Sequence, residues 1–487
     1  MRISFRTRNI LLILLFVSSF ANAQVTLPPF FNCNMVLQQG IPIPVWGWAS
    51  PKEKVSVTFN NKTVTTKAGK DGKWKVSLQA MNYGGPYNMV VKGKNLRTIE
   101  NILIGEVWVC SGQSNMEFAL SSAINAPAEI AASDYPEIRL FTVKRRMSEK
   151  PQENLEEGEW WQCSPVSSPK FSAVAYFFGR ALYKKLKVPI GLIHTSWGGT
   201  VAETWTSPET IAKNPDFAAK LEELKTVNIA EYNKANEKKL GPNSYPTLLY
   251  NGMINPLVPY GIKGAIWYQG EGNAGRAFQY RRVFPDMIKD WRAQWEQGDF
   301  PFLFVQLANY MKADSVPVES TWAELREAQT MTLSLPNTGM ASAIDVGEAL
   351  DIHPKNKQTV GQRLALSALK VAYHQNIENL GPVFSDMKIN GTKIDLTFSH
   401  VGIGFKVKEK YNYVKGFTIA GNDHKFRWAK ATITGPNTIQ VYSSEVDAPV
   451  AVRYGWANNP DDVNLYNSEG LPADPFRTDK WKGITEK

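Results

Sequence analysis

Between residues 102 and 373, short apolar runs alternate with longer stretches whose apolar residues recur at helical spacing. That alternation admits few arrangements other than a parallel sheet covered by helices. The strand-like runs fall at 106–110, 190–194, 264–268, 302–307 and 340–344, and amphipathic helical patterns at 172–186, 280–295, 322–333 and 359–373. The expected class is therefore α/β, with a five-stranded parallel sheet between helices.

The flanks differ from this centre. Residues 55–59, 63–67 and 74–78 alternate apolar and polar positions, punctuated by Asn60-Asn61 and Asp71-Gly72, which predicts a small β-sandwich-like region. After Leu380 the same pattern returns, with Asn390-Gly391 and Gly435-Pro436-Asn437 as hairpin turns. The expected division is 1–23, 24–100, 101–380 and 381–487, and the two β regions could form one module or two.

Residues 1–23 carry Arg2, Arg6 and Arg8, an apolar run from Ile10 to Phe20, and Ala21-Asn22-Ala23 before Gln24. This is the pattern of a signal peptide cut after Ala23, so the expected location is secreted or periplasmic. The run is too short to span a bilayer, no cysteine at the cut offers a lipid anchor, and no membrane insertion is expected. Removing the three arginines takes the formal charge from +10 to +7, spread as single Lys and Arg, which argues against a nucleic-acid partner. Three cysteines, Cys33, Cys110 and Cys163, cannot form a disulfide framework, and the five histidines show no paired metal-ligand spacing, so no metal is expected. Nothing in the sequence fixes an oligomeric state.

In an open parallel sheet, ligands bind beyond the carboxyl ends of the strands. The segments there are Ser111-Gly112-Gln113-Ser114-Asn115-Met116, Thr195-Ser196-Trp197-Gly198-Gly199-Thr200, Gln269-Gly270-Glu271-Gly272-Asn273 and, after a short connection, Asp351-Ile352-His353-Pro354. Taken singly, each is an ordinary turn, bend or cap. Together they supply what acyl transfer needs: a hydroxyl nucleophile (Ser114), a base (His353), a carboxylate to orient it (Asp351) and oxyanion donors. On extended backbone, residues i and i+2 project to one side, which would bring Asp351 to His353. The donors would be the N–H groups of Ser114 and Gly199 with the amide of Asn273 or Gln269.

Gly112-Gln113-Ser114-Asn115-Met116, Gly198-Gly199-Thr200 with Glu203 and Trp205, Trp267-Tyr268-Gln269-Gly270-Glu271 and Asp351-Ile352-His353-Pro354 resemble the sialate O-acetylesterase branch of the SGNH hydrolases. Asn34-Met35-Val36-Leu37-Gln38 and Arg453-Tyr454-Gly455-Trp456 extend the resemblance over most of the mature chain. It implies a flavodoxin-like domain that hydrolyses sugar acetyl esters without a cofactor, through a serine-linked acetyl intermediate. Carried over, it makes Ser114 the nucleophile, Gly199 and Asn273 oxyanion contributors, and Asp351 with His353 the remaining pair. Two departures matter. Many SGNH enzymes place the acid three residues before the histidine and here the spacing is two, which leaves Asp345 or a serine–histidine dyad open. The third block reads Gln-Gly-Glu-Gly-Asn, which leaves Gln269 competing with Asn273.

The Gly-x-Ser-x-Gly elbow of α/β-hydrolases is absent, since Asn115-Met116 follows Ser114. Flat aromatic faces suit sugar rings, so Trp197 and Trp205 are substrate candidates with Gln113, Glu203, Glu271 and Arg276, whereas Trp267, at a strand end, reads as core. Arg276 would suit the carboxylate of a sialic acid. His194 ends a strand near the site and is either a pocket or a packing residue. The expected partner is an acetylated glycan: a sialic acid first, a plant polysaccharide such as xylan or xyloglucan second. A non-catalytic carbohydrate-binding protein is the reading from another class.

Overall fold

A computed structural model describes residues 24–409 and 413–486. The 1–23 segment read as a signal peptide lies outside the described residues. The central sheet runs in the order Thr338–Ala341, Phe302–Val305, Gly264–Tyr268, Leu96–Gly112, Ile190–Ser196, Tyr135–Thr142, Trp160–Cys163. All the expected parallel strands are present. The sheet is larger than the predicted five, however: Tyr135–Thr142 adds a sixth parallel strand and Trp160–Cys163 closes that edge antiparallel. Both were hidden because the first mixes exposed positions with a run of only four buried residues and the second is four residues long with two exposed positions.

The chain enters the sheet at its centre with Leu96–Gly112. It builds one side, then crosses to Gly264–Tyr268 on the other and moves outward strand by strand. Ile190–Ser196 and Gly264–Tyr268 therefore flank Leu96–Gly112, and the strand order reverses there, which is where a crevice opens beyond the carboxyl ends. Ile190–Ser196 and Gly264–Tyr268 are buried along their whole length and Leu96–Gly112 from Ile102 onward, as a sheet covered on both faces requires. The helix Ala173–Leu186, capped by the Ser172 side chain, packs with Lys357–Val371 on this sheet.

Leu96–Gly112 is long because its first half pairs with the N-terminal strands Gly84–Lys92 and Val36–Gln38. One continuous core, from Val25 to Ala372, fills the N-terminal strands and the helical layer. The C-terminal strands enclose a second core around Ile394, Phe417, Ile439 and Tyr454 and belong to separate sheets, so the two β regions do not join as one module. The C-terminal strands are tied to the helix Thr321–Met331 by Arg477 to Glu327 (2.8 Å) and by Arg326 to the Ala457 carbonyl (2.7 Å). Cys33, Cys110 and Cys163 are all free thiols. Among the described residues no helix is long and apolar enough to cross a membrane, and no three His, Cys, Asp or Glu side chains gather as metal ligands.

Candidate active site

Ser114 opens a single helical turn, Ser114–Glu117, just beyond the central strand. Gly112 makes that exit possible. Its φ is +139°, and a Cβ there would lie 2.1 Å from the Tyr268 carbonyl oxygen, so only glycine lets the two strands approach this closely. The Gln113 N–H donates to the same carbonyl (2.9 Å), and the chain then turns.

His353 reaches this edge from the far side of the sheet. Its Nε2 lies 2.8 Å from Ser114 Oγ, and its ring stacks against Phe118 at a centroid distance of 6.4 Å. Asp351 Oδ1 lies 3.3 Å from His353 Nδ1 and accepts the His353 backbone N–H at 2.9 Å. The route differs from the expected pleat. Residues 351–353 form a bend held by that side-chain-to-backbone bond, a geometry that aspartate favours. The same bond is the leading cause holding the Asp351 carboxyl below its usual range. Asp345, the other carboxylate considered, is committed elsewhere: it is half-buried, takes Arg363 at 2.6 and 3.0 Å, and accepts the Tyr466 hydroxyl at 3.0 Å.

The backbone N–H groups of Ser114 and Gly199 have no acceptor among the described residues. Gly199 has φ +73° with nothing within 4 Å of a Cβ, so glycine is required by conformation and not by crowding. The neighbouring Gly198 N–H donates to Glu117 Oε2 (2.7 Å), and Glu117 also receives Arg145, whose guanidinium sits 5.3 Å over the Trp197 ring. Glu117 thus holds the glycine loop beside Ser114, where a Cβ on Gly198 would come within 3.3 Å of the Ser114 Cβ.

The two side-chain amides differ. Gln269 has both hydrogens spent, on the Thr200 carbonyl (3.0 Å) and Asn273 Oδ1 (2.7 Å), and its Oε1 accepts the Tyr280 hydroxyl (2.9 Å). It is buried scaffolding, which corrects its reading as an oxyanion donor. Asn273 Oδ1 accepts from Gln269 and from the Ala202 N–H, while Nδ2 gives one hydrogen to Glu203 Oε2 (3.0 Å). One Asn273 hydrogen remains. Gln113 Oε1 faces the Gly270 and Gly272 N–H groups, bracing the third loop.

Trp205 is wholly buried, its indole N–H donating to Thr200 Oγ1 (3.0 Å), so it supports the loop and does not face substrate. Trp267 is likewise core, packed edge-on against Trp205 and Trp291. Trp197 is half-buried at the rim. Glu203 is buried and takes Arg276 at 2.6 Å, and Arg276 also binds Gln279, so the cation suggested for a substrate carboxylate is already paired. His194 is packing: Nε2 meets Ser196 Oγ at 2.6 Å and the ring lies edge-on to Phe171. Another groove, of about 800 Å³ and lined by Ser148, Gln152, Pro208, Leu224 and Asn228, contains no imidazole and none of these groups.

This geometry can be set beside known proteins. A family described as carbohydrate esterase, sialic acid-specific acetylesterase, matches residues 104–370. The chain belongs to that family. The esterase is 31% identical to sialate O-acetylesterase of Mus musculus over 539 residues, covering 96% of each, and 31% identical to that of Homo sapiens over 92% of this chain and 91% of the human one. It is also similar to the crystal structure of a carbohydrate acetylesterase from Xanthomonas citri, with 42% identity, a TM-score of 0.85 and coverage of 94% of this chain and 100% of that one. It is a carboxylic ester hydrolase of the carbohydrate esterase class.

Sequence reasoning passed over several of the esterase's site residues. Glu117, Phe118 and Arg145 shape the rim, and Asn115 and Lys357 lie beneath it. Asn115 sits inside the serine block and Lys357 four positions beyond His353, so proximity in sequence was an available signal. Glu271, read as a substrate contact, turns inward: Oε1 accepts Asn115 Nδ2 at 2.6 Å and Oε2 is buried with no hydrogen-bond partner among the described residues.

Proposed function

We propose that this esterase removes O-acetyl groups from glycans through a covalent acetyl-serine, with acetylated sialic acids as the leading substrates and an SGNH-type site at the carboxyl edge of its sheet. The 2.8 Å approach of His353 Nε2 to Ser114 Oγ is the observation that carries the reading. His353 takes the Ser114 hydroxyl proton as Oγ bonds to the acetyl carbon, and the carbonyl oxygen becomes an oxyanion facing the Ser114 and Gly199 N–H groups, with Asn273 Nδ2 as third donor. Collapse breaks the bond to the sugar oxygen, which leaves with the proton from the imidazolium. Water, deprotonated by His353, attacks the acetyl carbon, and acetate departs as the proton returns to Oγ. Asp351 orients the ring and offsets its charge. The residues 1–23, with their basic, apolar and small-residue segments, support export to a secreted or periplasmic location.

The second substrate class is an acetylated plant polysaccharide such as xylan or xyloglucan. One observation favours keeping it: Arg276, the cation that would suit a sialic acid carboxylate, is paired with Glu203. An acetate-release panel of acetylated sialic acids against acetylated xylan and xyloglucan oligosaccharides separates the two. Ser114→Ala should abolish release from every active substrate and from 4-nitrophenyl acetate with little change in thermal stability; retained turnover would refute the nucleophile.

A further inference from the structure

Lys357 is fully buried, an unusual state for a lysine. Its Nζ donates to Asn115 Oδ1 at 2.5 Å, and it lies 4.7 Å from the centre of the Phe118 ring and 5.3 Å from that of Tyr268. Asn115 spends its two amide hydrogens on Glu271 Oε1 (2.6 Å) and on the Ile352 carbonyl (3.0 Å). Only one amide orientation fits, because the lysine must donate and the two oxygens must accept.

The chain positions of these partners are informative. Asn115 follows Ser114, Ile352 precedes His353, Glu271 belongs to the third loop, and Lys357 opens the helix after the histidine loop. One buried amide thus joins the peptide carrying the nucleophile to the peptide carrying the base. Phe118, stacked on His353 and with the ammonium 4.7 Å from its ring centre, touches both ends of the assembly. The 2.8 Å separation of Ser114 and His353 is the quantity such a junction would fix.

We propose that Lys357 is a positioning residue: as the cation of a buried Lys357–Asn115–Glu271 clamp, it holds the serine and histidine loops at the distance proton transfer requires. This rests on the assignment of Ser114 and His353 made above. The carboxylates of Glu271, Asp351 and Glu348 face Lys357 electrostatically, and Glu271 also faces His353. Burial pushes the ammonium down to about 7, the carboxylates opposing it, and burial pushes Glu271 up. The clamp is strongest with the lysine protonated, so kcat should have an alkaline limb that belongs to Lys357.

The test compares Ser114→Ala, Lys357→Met, Glu271→Gln and the Lys357→Met/Glu271→Gln double variant on 4-nitrophenyl acetate, with the rate of organophosphate labelling of Ser114 as a second readout. Lys357→Met should lower kcat and labelling together by about 10- to 100-fold while KM stays within about twofold, the size expected when reacting groups are slightly misplaced. Glu271→Gln keeps the shape but removes a counter-charge, and should move the alkaline limb to lower pH. The double variant should be little worse than Lys357→Met alone, because the two residues act as one unit. Wild-type kcat in Lys357→Met, or multiplicative losses in the double variant, would overturn the clamp. Should Lys357→Met fail to fold, an unmoved limb in Glu271→Gln overturns it alone. If Ser114→Ala stays active, the catalytic assignment fails instead, whatever the clamp variants do.

Discussion

Asp351 Oδ1 accepts the backbone N–H of His353 at 2.9 Å and lies 3.3 Å from the ring Nδ1 of the same residue. The carboxylate therefore shapes the bend as much as it orients the ring. Its side chain is 41% exposed, so water competes for the charge it offers an imidazolium.

From this follows an asymmetry between base and acid. His353→Ala should lower kcat by on the order of 10⁴-fold or more, since no other group replaces a general base. Asp351→Ala should lose about 10- to 100-fold, because orientation is also supplied by Phe118 stacking and the loop. Steady-state kinetics on an acetyl ester checks both, and equal losses would restore a strict triad.

The oxyanion reading is tested at Gly199. An alanine methyl meets no atom within 4 Å, so the substitution acts through φ +73°, which disfavours a side chain and turns the N–H away. Gly199→Ala should reduce kcat by about 100- to 1,000-fold with KM little changed, the effect of losing one oxyanion donor. A proportional rise in KM would place Gly199 in ground-state binding instead.

At Gln269 the expected effect is on stability. Its amide satisfies Tyr280, Thr200 and Asn273 in a buried network, and each partner left unpaired costs about 1–3 kcal/mol. Gln269→Leu should lower the urea midpoint markedly, and whatever fraction stays folded should keep near-normal KM. A stable variant with a selective kcat loss would return Gln269 to the oxyanion site.

Five of the parallel strands, the four long helices and the four convergent loops were legible because each has a strong local signal: an apolar run, a 3.6-residue period, a glycine turn. What was not legible depends on the third dimension. Trp205 looked like a sugar platform beside a glycine loop and lies wholly inside the protein. Gln269 and Asn273 are equivalent amides on paper, and only their neighbours show that one has spent both hydrogens. Lys357 falls just before the helical pattern expected over 359–373 and drew no notice, and it is the Phe118 and Tyr268 rings that folding brings against it.

His194 shows the cost of such burial. Enclosure, with the Arg145 charge adding to it, pushes its imidazole from 6.5 down to about 4, and Nδ1 has no hydrogen-bond partner among the described residues. Above its ordinary value both folded and unfolded states hold it neutral, and stability is unaffected. As pH falls through the interval, the unfolded chain takes up a proton that the folded protein refuses, so stability drains away and the loss is complete below about 4. Between about pH 7 and about pH 4.5 this single group should remove about 2.5 kcal/mol from the wild-type protein. His194→Gln, which stays neutral and can still bond Ser196, should lose about 2.5 kcal/mol less over the same range in urea unfolding. Parallel losses in the two proteins would mean that the carboxylates alone govern acid unfolding and that His194 is protonated without penalty.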